Sequence, residues 1–312
     1  MPFFSVVIPA YNAAATIGFA LDSLHRQTWQ DWEAIVVDDG SSDRTAQIVA
    51  TFGRFDPRIR IVKLENGGPA RARNIGAMRH AEGQFIAFLD SDDIWLPTKL
   101  ATTAAALCLE PNLDGLFGRV RFFRDTPSDS QTLSRGHCGR LTVQDLVGEN
   151  PVCTMSNLTI RRTKFLEVRG FYEALRHSED LECLIRLVAS GAAIAGIDAA
   201  EVCYRSSPSG LSANLFAMHD GWRQAVASAE PHIAEFGPGE IRRAEAVHLR
   251  YLSRRALRVK VSRFTPMRLA MRGMAASPKA FLAPGRHGLL IALAALMTPM
   301  LPPRLRRRLA DY

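Results

Sequence analysis

At 312 residues, with 47% apolar and 22% charged residues, the chain has room for a large buried core, and its composition excludes intrinsic disorder as the organising principle. Five scattered cysteines (Cys108, Cys138, Cys153, Cys183, Cys203) show no C-x-x-C spacing, which argues against a disulfide framework or a zinc site and for free thiols in a reducing compartment. The net charge of +8 hides two unlike pieces: residues 236–312 hold 16 Lys/Arg against three Asp/Glu, leaving −5 for residues 1–235.

Met1-Pro2 runs straight into FFSVVIP, with no basic region, long apolar stretch or cleavage site, so no secretory signal is expected. Up to Leu109, β-rich runs at 3–9, 32–37, 58–64 and 84–89 alternate with helical stretches at 13–27, 43–53 and 69–81. Such a rhythm predicts a mostly parallel sheet with helices on both faces, and ligands in such sheets sit beyond the carboxyl ends of the strands. The polar clusters fall at those ends: Pro9-Ala10-Tyr11-Asn12 after the first strand, Asp38-Asp39-Gly40-Ser41-Ser42-Asp43 after the second, Asn66-Gly67-Gly68 after the third, and Asp90-Ser91-Asp92-Asp93 after the fourth.

Each cluster has two readings. Carboxylates crowded at 90–93 stay ionised only beside a cation, for which a divalent ion with oxygen ligands is the simplest candidate; alternatively, Asp93 or Ser91 caps a helix starting near Trp95. In VVDDGSSD one cap is enough for the following helix, which frees Asp39 to accept from a base edge or a ribose. Arg71 and Arg73, at the start of the helix after Gly67-Gly68, oppose the helix dipole unless an anion binds there. Glu179 and Asp180, behind Ser178, either complement a helix dipole or place a general base. Strand one is followed by no G-x-G-x-x-G, and the chain has neither G-x-x-x-x-G-K-[ST] nor G-x-S-x-G, which argues against a dinucleotide oxidoreductase, a P-loop NTPase and an α/β-hydrolase.

Beyond 110 the expected elements are a strand over 115–123, a polar loop at 125–140, a strand within 151–162, a helix over 178–190, and strands at 192–197 and 200–205. After Leu211 the chain reads as helix, broken at 237–239, Pro266, Pro278 and Pro284. On a helix from Ile241 to Lys260, Arg243, Arg250, Arg254 and Arg258 share one face, which suits an anionic membrane surface; no nucleic-acid motif accompanies the stripe. The apolar stretch 288–301 is shorter than a bilayer span and precedes LRRR at 305–308, so it reads either as an interfacial segment or as a core helix.

Taken in order, SVVIPAYN, VVDDGSSD, GGPARARNIG, FIAFLDSDDIWLP and SEDLECLIRL resemble the family 2 glycosyltransferases, inverting enzymes of the GT-A fold, over roughly residues 3–206. The resemblance implies a Rossmann-like α/β catalytic domain at 1–211, divided into a nucleotide-binding half at 1–109 and an acceptor-binding half at 110–211. A helical, basic C-terminal region at 212–312 would follow it. Pro9, Ala10 and Tyr11 would then pack on the nucleoside and Asp39 would bond the base, while Arg73, helped by Arg71, would sit near the nucleotide. Asp90-Ser91-Asp92 would be the Asp-x-Asp element, with Asp92 binding Mn2+ or Mg2+ on the diphosphate and Trp95-Leu96-Pro97 opening the helix that closes the site. Asp180 would be the base that deprotonates the acceptor hydroxyl. The expected donor is a UDP-sugar and the expected acceptor a glycan or lipid-linked glycan, in the cytoplasm at the inner face of the membrane, for a surface polysaccharide or glycoconjugate. The Q-x-x-R-W element of processive synthases is absent, so transfer of one sugar per encounter is expected. Two rivals remain: a nucleotidyltransferase, which would carry a Gly-rich basic first loop in place of PAYN, and a nucleotide-sugar-binding, membrane-docking protein without turnover.

Overall fold

The computed structural model describes residues 1–130, 132–206, 214–233, 236–259, 261–300 and 302. Two compact units emerge, residues 1–142 with 151–206, and residues 143–150 with the chain after 206.

The first unit begins β1 (Phe4–Ala10), α1 (Ile17–His25), β2 (Trp32–Asp38), α2 (Thr45–Phe55), β3 (Ile59–Lys63), α3 (Pro69–Asn74) and β4 (Phe85–Phe88). These match the expected alternation, except that the helix over 69–81 turns π-helical at Ile75–His80, immediately after Arg73 and Asn74. Then come β5 (Ile94–Trp95), α4 (Lys99–Leu109), β6 (Gly115–Phe117), β7 (Val120–Phe123), β8 (Thr132–Leu133) and β9 (Gly139–Arg140). After α5 (Val143–Gly148), which belongs to the other unit, follow β10 (Thr159–Arg161), α6 (Arg162–Glu167), α7 (Glu179–Ala189), β11 (Ile194–Gly196) and β12 (Val202–Arg205).

Eight strands form one sheet in the order β3-β2-β1-β4-β10-β6-β11-β9, with β1 to β4 parallel and β10 antiparallel to both its neighbours. Every residue of β1 is buried, as expected of a strand covered on both faces. Phe4, Val6, Ile8 and Ala10 share a core with Ile17, Leu21 and Leu24 of α1 and with Trp95 and Leu100. Pro9 is tolerated in this central strand because pairing with β4 ends at Val7↔Phe88, so its missing N–H removes no rung there.

Two expectations fail locally. The run 115–123 is two strands in two sheets: β6 lies in the large sheet, while β7 joins a smaller one ordered β5-β12-β7-β8. Between them the Gly118 N–H donates to Asn157 Oδ1, and a Cβ at Gly118 would stand 2.3 Å from the Ala199 carbonyl. Trp95 opens no helix either. Ile94 and Trp95 pair antiparallel with β12, and α4 begins only at Lys99, after Pro97.

The second unit is helical: α5, α8 (Leu215–Ser228), α9 (Pro238–Arg258), α10 (Thr265–Ala276), α11 (Pro278–Leu282) and α12 (Gly285–Met297). Pro238, Pro266 and Pro278 lie in first turns, where an absent N–H costs no intrahelical bond. α9 is the hub, packed on α5, α8, α10, α11 and α12, and of the four arginines expected on one face Arg243 and Arg258 are exposed while Arg250 and Arg254 find partners within the unit. Arg250 is buried and donates to the Ala280 and Ala283 carbonyls, and Arg254 reaches Glu149 at 3.4 Å. Arginine cations satisfied by carbonyls and a carboxylate inside the unit are building elements, whatever their helical periodicity suggests. Lys260, residues 207–213 and the LRRR segment lie outside the described residues.

Between α8 and α9 the rings of His219, Trp222 and His248 stack, with Trp222 and His248 centroids 5.2 Å apart at 14°. Trp222 Nε1 donates to the Val147 carbonyl on α5 at 2.8 Å, and His219 Nε2 lies 3.3 Å from Glu245. Burial, then repulsion from His219, lowers the His248 pKa to about 3. The unfolded chain therefore takes up this proton first as pH falls. The stability held by neutral His248 should decline below about pH 6.5, by about 1.4 kcal/mol per pH unit, until about pH 3. Thermal unfolding of wild type and His248→Phe from pH 7.5 to 4.5 checks this: the wild-type Tm should fall more steeply, and parallel curves would refute it.

Candidate active site

The carboxyl edge of β1, β2 and β4 carries the site. Asp38 closes the turn after β2 by accepting from the Ser41 N–H, and the two loops are tied together by Asn12 N–H to Ser41 Oγ, Ser42 N–H to Asn12 Oδ1 and Ala13 N–H to Thr45 Oγ1. Pro9 and Ala10 are buried within β1, while Tyr11 is 56% exposed and presents its ring to solvent at the mouth.

Asp39 is buried and its carboxylate holds the glycine loop. Oδ1 accepts from the Gly67 N–H at 2.9 Å, and Oδ2 accepts from the Gly68 N–H at 2.7 Å and from Asn66 Nδ2 at 3.2 Å. A carboxylate has about four acceptor sites, so one remains for a ligand N–H. Arg71 lies against Gly67 and donates to the Glu65 carbonyl. It is not part of the charged cluster described next.

Arg73 is the centre of that cluster. Its buried guanidinium bridges Asp90 Oδ1 at 2.6 Å and Glu179 Oε1 at 3.1 Å, bringing the start of α7 to the end of β4. Burial opposes its charge, but Asp90 and Glu179 more than offset this, and its pKa is raised. The carboxylates around it show the counter-effect. Burial, then the Asp180 charge, lifts Glu179 to about 6; burial, then Asp90, lifts Asp92 to about 6; and burial raises Asp180. Among the described residues Asp180 accepts only from the N–H of Leu181 next to it, which leaves its other oxygen to take a proton.

The turn 90–93 is built by residues that sequence reasoning missed. Ser156 Oγ accepts the Asp90 N–H at 2.9 Å and donates to Asp93 Oδ2 at 2.6 Å, so one hydroxyl fixes both ends. Asp93 is fully buried and its Oδ1 accepts the Arg205 N–H; it caps no helix. Arg205 Nε donates to the Asp92 carbonyl at 3.0 Å and Trp95 Nε1 to the Ser156 carbonyl at 2.9 Å. Ser91 lies inside this turn, partly exposed. Asn74 is a further missed residue: it clamps Phe171 by accepting its N–H and donating to its carbonyl, which anchors the segment leading into α7. Gly170, at φ +66°, lies so close that a Cβ there would stand 2.3 Å from Asn74 Oδ1. Only the A-R-N run pointed to position 74.

Among the described residues no other side chain bonds the Asp92 carboxylate, and no three His, Cys, Asp or Glu side chains converge to cage a metal. A lone carboxylate with open oxygens, beside a second at Asp90, suits a hard divalent cation that takes its remaining ligands from phosphates. The donor set therefore suits a divalent cation.

Comparison with known proteins places the chain in a family and a fold. A family model described as Glycosyl transferase family 2 matches residues 5–169. A UDP-Glc:alpha-D-GlcNAc-diphosphoundecaprenol beta-1,3-glucosyltransferase of Escherichia coli, WfgD, is 32% identical over 215 residues, covering 68% of this chain and 80% of that protein. Among solved structures, Staphylococcus aureus TarS 1-349 in complex with UDP-GlcNAc superposes with a TM-score of 0.62 at 20% identity, over 99% of this chain and 90% of that one. Mannosyltransferase PcManGT from Pyrobaculum calidifontis, in complex with GDP-Man and Mn2+, gives 0.61 at 20% identity, over 100% of this chain and 84% of that one. At these identities the superpositions establish a shared fold.

Proposed function

The chain belongs to glycosyl transferase family 2, and on that footing we propose that it transfers a sugar, with inversion, from a UDP-sugar to a hydroxyl of a lipid-linked or polymer-bound glycan, for a surface polysaccharide or related glycoconjugate. The observation that carries this reading is the grouping of Asp90, Asp92, Glu179 and Asp180 around the buried guanidinium of Arg73.

In this reading Asp180 takes the proton of the acceptor hydroxyl as its oxygen attacks the anomeric carbon. The bond from that carbon to the diphosphate breaks on the opposite face, and the diphosphate departs without a covalent enzyme intermediate. Arg73 holds the Asp90 carboxylate and, through Glu179, the start of α7 in place. Asp39 orders the 66–68 loop and offers its remaining lone pair to the base, with Pro9, Ala10 and Tyr11 beside the nucleoside. A divalent cation held by Asp92 next to Asp90 would supply the charge that stabilises the departing diphosphate. With an acceptor carried on lipid, the C-terminal unit would meet an anionic membrane surface from the cytoplasmic side. No described helix is long and apolar enough to cross a membrane.

Calorimetric titration with UDP and GDP, each with and without Mn2+, on wild type and Asp92→Asn tests the donor side. UDP should bind tightly only with the metal, and the variant should lose at least about tenfold in affinity, the equivalent of about 1.4 kcal/mol. Metal-independent binding of equal strength in both proteins would overturn the donor assignment.

A further inference from the structure

Helix α12 divides cleanly into two faces. Gly288, Ile291, Ala292 and Ala295 are buried, Ala292 and Ala295 in a cluster with Ala246, Ala270 and Phe281. On the other side Leu289, Leu290, Leu293, Leu296 and Met297 are 50%, 64%, 48%, 37% and 51% exposed, and Met300 in the next turn is 85% exposed. From Leu289 the spacing is i, i+4, i+7, i+8, one continuous stripe with no polar residue in it. A folded protein rarely leaves a patch of this kind in water without a partner for it.

The charge around the stripe identifies the partner. From Ala246 to Ala310 the sequence has 14 Lys/Arg and no Asp or Glu. In the same unit Arg263, in the turn before α10, and Arg268, Arg272, Lys279 and Arg286, on its helices, are all exposed. A second copy of the chain would set like charges against one another, whereas an anionic bilayer meets both the cations and the leucines. At 13 residues, about 20 Å, α12 is too short for a hydrocarbon core of about 30 Å, so it suits lying in the interface.

We infer that the exposed leucine face of α12 docks the enzyme on an anionic phospholipid surface, with the leucines in the headgroup boundary and the neighbouring arginines on lipid phosphates. This extends the proposed reading, in which the acceptor is carried on lipid, and of the two segments that the sequence pattern offered for the contact, α9 and 288–301, it selects the second. Its test needs no turnover.

The full-length protein is floated with vesicles of phosphatidylcholine alone and of phosphatidylcholine with phosphatidylglycerol. Wild type should bind the second and not the first, and binding should weaken with added salt. The Leu290→Ser/Leu293→Ser protein should lose at least about tenfold in binding, because two side chains no longer enter the interface. Arg268→Glu/Arg286→Glu should lose it as well. Both variants should keep the wild-type Tm and UDP titration, so failure of the docking surface and failure of the donor site read out separately. Equal binding by the serine variant, equal binding to neutral vesicles, or a wild-type dimer that the serine variant converts to monomer would each overturn the inference.

Discussion

Replacing Asp180 with Asn is expected to lower kcat by about two to four orders of magnitude while leaving UDP affinity unchanged. The amide keeps an oxygen to accept the Leu181 N–H, so the start of α7 should stay in place and the loss should be one of proton acceptance. In wild type, kcat should fall with decreasing pH as Asp180 is protonated. Since burial raises this group, the acid limb should lie above the usual carboxylate range. Glu179→Gln is the discriminating control, because Glu179 Oε1 is held by Arg73. Steady-state rates across pH for both variants decide the matter: if Glu179→Gln abolishes turnover and Asp180→Asn does not, the base has been assigned to the wrong member of the pair.

Arg73→Met should destabilise the first unit by about 3–5 kcal/mol, the cost of stranding buried charge once its partner is gone. The loss should depend on pH. Without the guanidinium the folded-state pKa of Glu179 rises further above its unfolded value. Such a carboxyl adds its stability at low pH and loses it as pH climbs through the folded pKa. Urea unfolding of the variant should show a larger deficit at pH 8 than at pH 5.5. Arg73→Lys should recover only part of it, since an ammonium cannot present a planar fork to two carboxylates at once. An Arg73→Met protein as stable as wild type at pH 8 would mean that the cluster does not depend on this cation.

Much of this architecture is written in local pattern. The continuous apolar runs of β1, β2 and β4 and the turn chemistry after them are short-range properties, and a sequence reading finds them, including the edge where Asp39, Asp90 and Asp92 gather. What it misses depends on partners far along the chain. Asp93 looks like a helix cap beside its neighbours, yet its partners are 63 and 112 residues away, at Ser156 and Arg205. Arg71 and Arg73 look equivalent two positions apart, but the first turns to a carbonyl six residues back and the second to carboxylates 17 and 106 residues on. Periodicity found the arginine stripe of α9 and could not show that Arg250 meets carbonyls from another helix. In α12 the same periodicity is present, and there the exposed side is the leucine one.

The placement of α5 bears on how this protein can be taken apart. The chain leaves the sugar-transfer unit at Thr142, contributes eight residues to the helical unit, returns at Pro151 and leaves again after Ser206. A truncation at 206 would strand Leu146 and Val147 without the helices that cover them. The helical remainder, made alone, would lack the Val147 carbonyl for Trp222 and the carboxylate of Glu149 for Arg254. No single cut yields two intact halves. Swapping the C-terminal helices between relatives would therefore require grafting two separate stretches of sequence together.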